Sequence, residues 1–176
     1  MKLLTLKFII VFIYLISSSS SYAIQELNLK NLVIHKNPKK LEKINFKNIN
    51  NETINLKKFK NSLIIINFWA TWCAPCIEEM PSLNRLQANS NFDNLQIIPI
   101  NVGRDNIEKS INFYKNLKIN NLEIYFGENV ELAKKFLLRG LPTTVFINKR
   151  GEEFARVIGF VNFDDKTFIK WLQKYD

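Results

Sequence analysis

Cysteine and histidine are scarce: the 176-residue chain has two of the first and one of the second. Two Cys cannot build a multi-disulfide scaffold, and without help they cannot supply the four ligands of a structural zinc site. With His35 the sole imidazole, histidine-rich metal centres are excluded as well. Long apolar runs are scarce too. The uninterrupted run from Phe8 to Ile16 is shorter than the roughly 20 residues a membrane-spanning helix needs. Internal repeats, low-complexity tracts and interdomain linkers are absent, and the length suits one ordinary domain with a real core. The two Cys that are present form a single C-x-x-C, Cys73 and Cys76.

Acidic residues are outnumbered, 16 against 25 Lys+Arg, which gives a net charge of +9. The chain also holds 23 Asn, 23 Ile and 20 Lys, the residue set that AT-rich codons favour, so the basicity follows composition. The lysines are spread along the chain, with small clusters at Lys39–Lys40, Lys57–Lys58–Lys60 and Lys134–Lys135. No basic stripe interleaved with aromatics exists, which argues against nucleic acid as a partner. A solvated surface accounts for the charge.

Residues 1–23 read as a secretory signal peptide. Lys2 gives a positive start, an apolar stretch follows to Ile16, and Ser21-Tyr22-Ala23 carries small residues at the −3 and −1 positions of a cleavage site. An uncleaved N-terminal anchor is the alternative; a lipoprotein anchor is excluded because no Cys lies near the cleavage site. Export points to a bacterial periplasm, where a C-x-x-C meets an oxidising environment and its state depends on specific electron donors.

Residues 24–43 are read as a loosely structured lead-in, and residues 44–176 as the domain. Ile44–Phe46 and Thr53–Leu56 alternate around Asn50-Asn51, a hairpin signal. Leu63–Phe68 is a continuous apolar run suited to a central strand buried on both faces. A helical pattern runs from the Cys pair to about Ala88. A strand at 95–102 and a helix at 106–118, with Ile107, Ile111 and Tyr114 inward, come next. A short strand at 122–126 then leads to a helix at 128–138 ended by Gly140 as its C-cap. Thr143–Ile147 and Phe154–Ile158 form an antiparallel pair across the turn at 148–151, and a last helix starts at Asp164 or Asp165. The order is that of a mixed α/β sheet with flanking helices. His35 is read as a surface residue, and Arg104 and Asp105 as loop residues.

The Cys pair sits where a buried strand hands over to a helix. A helix N-terminus presents free N–H groups and partial positive charge, which stabilise a thiolate. Cys73 is therefore expected as the exposed, low-pKa nucleophile, and Cys76, one turn inside, as the resolving thiol. Pro75 fits the first turn, where its missing N–H costs nothing. Trp69 and Trp72 offer an apolar approach surface. Three other readings compete. A structural disulfide over so small a loop adds little stability. A zinc half-site lacks its other two ligands. Two soft thiolates could instead hold Cu(I), making the protein a copper chaperone, although Met80 is the only nearby thioether.

Glu79 falls roughly 60° from Cys76 on a helical wheel, within the face that carries Met80, Leu83 and Leu86, whereas Glu78 points to solvent. Buried there, its carboxyl would have a raised pKa and could exchange a proton with Cys76. At the edge of that face it would instead reach water. Pro142, in Gly140-Leu141-Pro142-Thr143-Thr144, marks a strand start or turn.

The segment Phe68-Trp69-Ala70-Thr71-Trp72-Cys73-Ala74-Pro75-Cys76, followed by Glu79-Met80-Pro81-Ser82-Leu83, resembles the active-site segment of the TlpA/ResA/CcmG group of extracytoplasmic thiol–disulfide oxidoreductases. Gly140–Ile147 followed by Gly151 resembles the group's cis-proline strand and turn. The resemblance implies a thioredoxin-like fold with an N-terminal β-hairpin extension. It implies that Pro142 is cis and faces the Cys pair, and that the Leu141 backbone, with Trp72 and Pro75, meets an extended substrate. It implies that Glu79 is the functional carboxylate, since Asn67 stands where many cytosolic thioredoxins carry a buried Asp. The implied activity is reduction of protein disulfides, in apocytochrome c or in copper-site assembly proteins, by a cofactor-free monomer recharged by a membrane thiol–disulfide donor. The acidic motif of CcmG-type members has no clear counterpart in residues 87–96. A peroxiredoxin-type thiol peroxidase is disfavoured, because Ile66 and Ala70 stand where that site needs Pro and Thr or Ser.

Overall fold

The computed structural model describes Leu29, residues 31–127 and residues 129–176, with 129 and 130 described by backbone alone. The expected signal segment, residues 1–23, lies outside the described residues, as does Glu128, the expected first residue of the helix at 128–138.

The strands are β1 (Leu32–Lys40), β2 (Asn45–Asn48), β3 (Thr53–Asn55), β4 (Leu63–Trp69), β5 (Leu95–Asn101), β6 (Tyr125–Phe126), β7 (Thr143–Ile147) and β8 (Glu152–Ile158). The helices are α1 (Ala74–Gln87), α2 (Ile107–Asn116), α3 (Asn129–Lys135) and α4 (Lys166–Leu172), with 3-10 turns at Leu56–Phe59 and Gln173–Tyr175. One sheet runs in the order β1-β8-β7-β4-β5-β6-β2-β3. β4, β5 and β6 are parallel, and the remaining pairings are antiparallel.

Every residue of β4 is buried. Side chains alternate across a strand, so this one strand feeds two cores. Leu63, Ile65 and Trp69 join Met80, Leu83 and Leu86 of α1 and Phe168, Trp171 and Leu172 of α4. Ile64, Ile66 and Phe68 join Phe46, Ile98, Tyr125, Phe136 and Val145 on the other face. A strand covered on both sides reads as the continuous apolar run seen in the sequence. Asn67 faces the α1 side, the one polar break in that run.

Four expectations need correction. The lead-in is not loose: within it, β1 pairs antiparallel with β8 as an edge strand, with an irregular stretch between Ile34 and Lys39. Pro38 falls in that stretch, where its missing N–H removes no ladder bond. His35 is not a surface residue, because its side chain is only 11% exposed and its Nε2 lies 2.8 Å from Glu153 Oε1. Gly140 does not cap α3. Leu137 does, at φ 52°, with Leu137 N–H donating to Lys134 O and Leu138 N–H to Ala133 O, a Schellman-type end. On α2, Tyr114 is buried as expected, but Ile107 is exposed and Ser110 takes an inward place.

Candidate active site

β4 ends at Trp69, a short turn follows, and Cys73 caps α1 with an extended backbone (φ −86°, ψ 104°). Its Sγ accepts a hydrogen bond from Cys76 N–H at 3.3 Å, which makes the sulfur the helix's capping acceptor. Pro75 sits in the first turn. Cys73 and Cys76 are joined by a disulfide with their Cα atoms 5.2 Å apart. Cys73 is 5% exposed and Cys76 0%. The order of exposure is as expected, but Cys73 is nearly covered rather than open. The exposed group beside it is Trp72, at 65%, with Ile77 and Phe160 also presenting apolar surface.

Glu79 is fully buried, which decides between its two possible positions. Its Oε1 accepts from Asn67 Nδ2 at 2.7 Å and its Oε2 from Val161 N–H at 3.0 Å. Burial penalises the charged form more than these two donors favour it, and the carboxyl is pushed up to about 8. On α1, Glu79 is three residues beyond Cys76, hence on the same side of the helix. Asn67 does not titrate, but it is the hub of this network. Its Nδ2 also donates to Thr144 Oγ1 of β7 at 3.1 Å, while its buried Oδ1 has no partner among the described residues.

The Leu141–Pro142 bond is cis. β7 pairs with β4 through Phe68↔Thr143, so Pro142 lies one step further along, level with the end of β4 from which the Cys turn departs. Pro142 O accepts from Gly159 N–H at 2.8 Å, and the Leu141 side chain is partly buried against both cores.

Sequence reasoning missed Thr144, Val161 and Asp105. Asp105 lies in a loop, yet its carboxylate bonds to Thr71 in the Cys turn. The available signal was position: the loops beyond the C-terminal ends of parallel strands β4 and β5 are where α/β sites assemble. A cavity of about 510 Å³ borders this region, lined by Asn101, Val102, Arg104, Asp105, Phe126 and Gly127. Among the described residues, no group of three or more His, Cys, Asp or Glu is placed to hold a metal ion. No described helix is long and apolar enough to cross a membrane.

Fold and site together define a thioredoxin-like protein with a C-x-x-C pair at the head of the helix after its central strand. The chain belongs to the AhpC/TSA family, which matches it over residues 38–152. It is 31% identical over 106 residues to the thiol-disulfide oxidoreductase ResA of Bacillus thuringiensis subsp. konkukian, a match covering 60% of each chain. Two solved structures share the fold. StoA from Bacillus subtilis has a TM-score of 0.60 at 24% identity, with 75% of this chain and 94% of StoA covered. A DsbF homologue from Corynebacterium diphtheriae has a TM-score of 0.69 at 21% identity, with 85% and 96% covered. The thioredoxin-like α/β fold and the resemblance to the TlpA/ResA/CcmG group are thereby borne out.

Proposed function

We propose that this protein is an exported thiol–disulfide oxidoreductase that reduces disulfides in other proteins. The observation that carries the reading is the Cys73–Cys76 disulfide at the cap of α1, one turn before a buried carboxyl at about 8. In the reduced protein the Cys73 thiolate attacks a client disulfide. A Cys73–client disulfide forms, and the first client sulfur leaves and takes up a proton. Cys76 then loses its proton and attacks Cys73 Sγ, which releases the second client thiol and closes the Cys73–Cys76 bond. Two electrons pass to the client, and a dithiol donor must return them before the next cycle.

Glu79 is the proton partner of Cys76 in this scheme. A carboxyl at about 8 lies close to the ordinary thiol value of about 8.5, so a proton moves between the two at little cost in either direction. Trp72, Pro75, Leu141 and Pro142 form the client-facing rim, where an extended segment pairs with the Leu141 backbone. The resemblance supports apocytochrome c or a copper-site assembly protein as client and a membrane thiol–disulfide protein as donor. The signal-like residues 1–23 support a periplasmic location, and the domain proper is taken as 44–176 with β1 as an added edge.

Insulin reduction driven by dithiothreitol tests the activity. The wild type should accelerate it, and full activity in Cys73→Ser would overturn the mechanism. The reduction potential gives the direction: a value near −270 mV, about that of thioredoxin, fits a reductant, and one near −120 mV, about that of DsbA, an oxidant. Copper analysis of the reduced protein separates this reading from a Cu(I) chaperone, and peroxide consumption separates it from a thiol peroxidase.

A further inference from the structure

We propose that Asp105 is a positioning residue for the nucleophilic sulfur: through Thr71 it holds the turn that sets Cys73 at the cap of α1, and so governs how readily the Cys73 thiol ionises. The inference rests on the oxidoreductase reading above.

The Asp105 side chain is 2% exposed although it belongs to a loop. Its Oδ2 accepts from Thr71 N–H at 2.9 Å and Asn101 Nδ2 at 3.0 Å. Its Oδ1 accepts from Thr71 Oγ1 and Lys109 Nζ, each at 2.7 Å. Burial pushes the carboxyl upward, but the bonds from Lys109, Asn101 and Thr71 together outweigh it and hold it at about 2. The group is thus a fixed anion at any working pH, an anchor rather than a proton carrier.

Thr71 is gripped by both its backbone N–H and its hydroxyl, and only Trp72 separates it from Cys73. The Trp72 indole donates to Gly103 O at 3.3 Å. Cys73 N–H donates to Ala70 O at 3.2 Å. Gly103 completes the clamp from the other side. A Cβ there would meet Ala70 Cβ at 2.4 Å, so the backbone of the loop after β5 is packed directly on the turn. Asn101 Oδ1 accepts from Gly103 N–H at 2.9 Å and fixes that loop in turn.

The clamp acts in the reduced protein. With the disulfide closed, Cys73 is held covalently. Once it opens, Sγ keeps the Cys76 N–H and the positive end of α1 only while the turn keeps its place, because both effects fall off steeply with distance and angle. The titratable groups on the flanking elements are Cys76, Glu78, Glu79 and Arg85 of α1, and Arg104, Asp105, Glu108, Lys109 and Lys115 before or within α2. Of these groups, only Asp105 bonds to the turn 70–72.

The test is the pH dependence of iodoacetamide alkylation of Cys73 in the reduced protein, with the labelled residue identified by mass spectrometry. Thr71→Val keeps shape but removes the hydroxyl bond, and Asp105→Ala removes the anchor. Each should lower the thiolate fraction below the wild-type pKa by about tenfold. Thr71→Ser keeps both bonds and should match the wild type. Lys109→Ala removes an exposed cation from the same carboxylate without touching Thr71, and should leave the Cys73 profile unchanged. If the carboxylate acted through space instead, Asp105→Ala would increase thiolate and Lys109→Ala would decrease it, which overturns the proposal. A lowered melting temperature in Thr71→Val with an unmoved Cys73 profile also overturns it, and that variant serves if Asp105→Ala does not fold. Alkylation needs no client, so an inactive wild type in insulin reduction would sink the oxidoreductase reading and leave this measurement standing.

Discussion

At the scale of single residues, Glu79 is the group whose behaviour depends most on its surroundings. Its side chain is fully buried and its carboxyl lies at about 8 rather than 4.5. In the disulfide form neither Cys titrates, so this carboxyl can be followed by itself. Between pH 4.5 and about 8 the folded protein holds a proton that the unfolded chain has released. The stability contributed by Glu79 is therefore complete below pH 4.5, declines as pH rises toward 8, and is flat beyond. The total change is a few kcal/mol, at roughly 1.4 kcal/mol per pH unit. Glu79→Gln should flatten that slope, and the difference between the two urea-denaturation profiles at pH 5, 7 and 9 isolates the residue. In the wild type the Val161 amide resonance should titrate with a midpoint near 8, since its N–H points at Glu79 Oε2. A midpoint near 4.5 would remove the basis for Glu79 as the proton partner of Cys76.

At the scale of elements, legibility followed burial. β4, β7 and the first turn of α1 were readable because a strand covered on both faces is apolar throughout and a Pro beside a capping Cys has few other uses. β1 was hidden. Its sequence, LVIHKNPKK, carries no clean alternation, and most of its side chains stay in solvent. Beyond its ladder with β8 and Leu32 against the core, what docks it is polar and long-range: His35 to Glu153 at 2.8 Å, with Arg156 Nε and Nη2 on the same carboxylate at 2.6 and 2.8 Å. Residues 118 apart leave no local pattern. The Asp105–Thr71 brace was invisible for the same reason, while Glu79 was only half legible, its face readable but its depth set by Val161 far along the chain. The cluster at β1 predicts unequal costs. His35→Ala leaves Glu153 paired with Arg156 and should cost about 1 kcal/mol. Glu153→Ala leaves the largely buried Arg156 cation with only the Phe136 carbonyl and His35 without its partner, and should cost about 3 kcal/mol or more. Urea denaturation at pH 7 checks the ranking; equal losses would mean that β1 is held by its backbone ladder alone.

At the scale of the whole molecule, the sheet separates what must stay rigid from what must change. The two cores meet across β4, and neither depends on the sulfur–sulfur bond to bring distant segments together. The disulfide joins residues three apart, so the loop it closes contributes only about 2 kcal/mol through the entropy of the unfolded chain. For a domain of this size that corresponds to a few degrees in melting temperature. A protein that gives its electrons away and takes them back has to be folded in both states, and the placement of the pair permits it: Cys76 is fully buried in the core between α1 and the sheet. Thermal melts followed by circular dichroism, with and without a phosphine reductant at pH 7, should therefore show two cooperative transitions, the reduced one lower by a few degrees. A reduced form that loses its transition, or melts tens of degrees lower, would make the Cys73–Cys76 bond a structural staple and would remove it as the exchanging group.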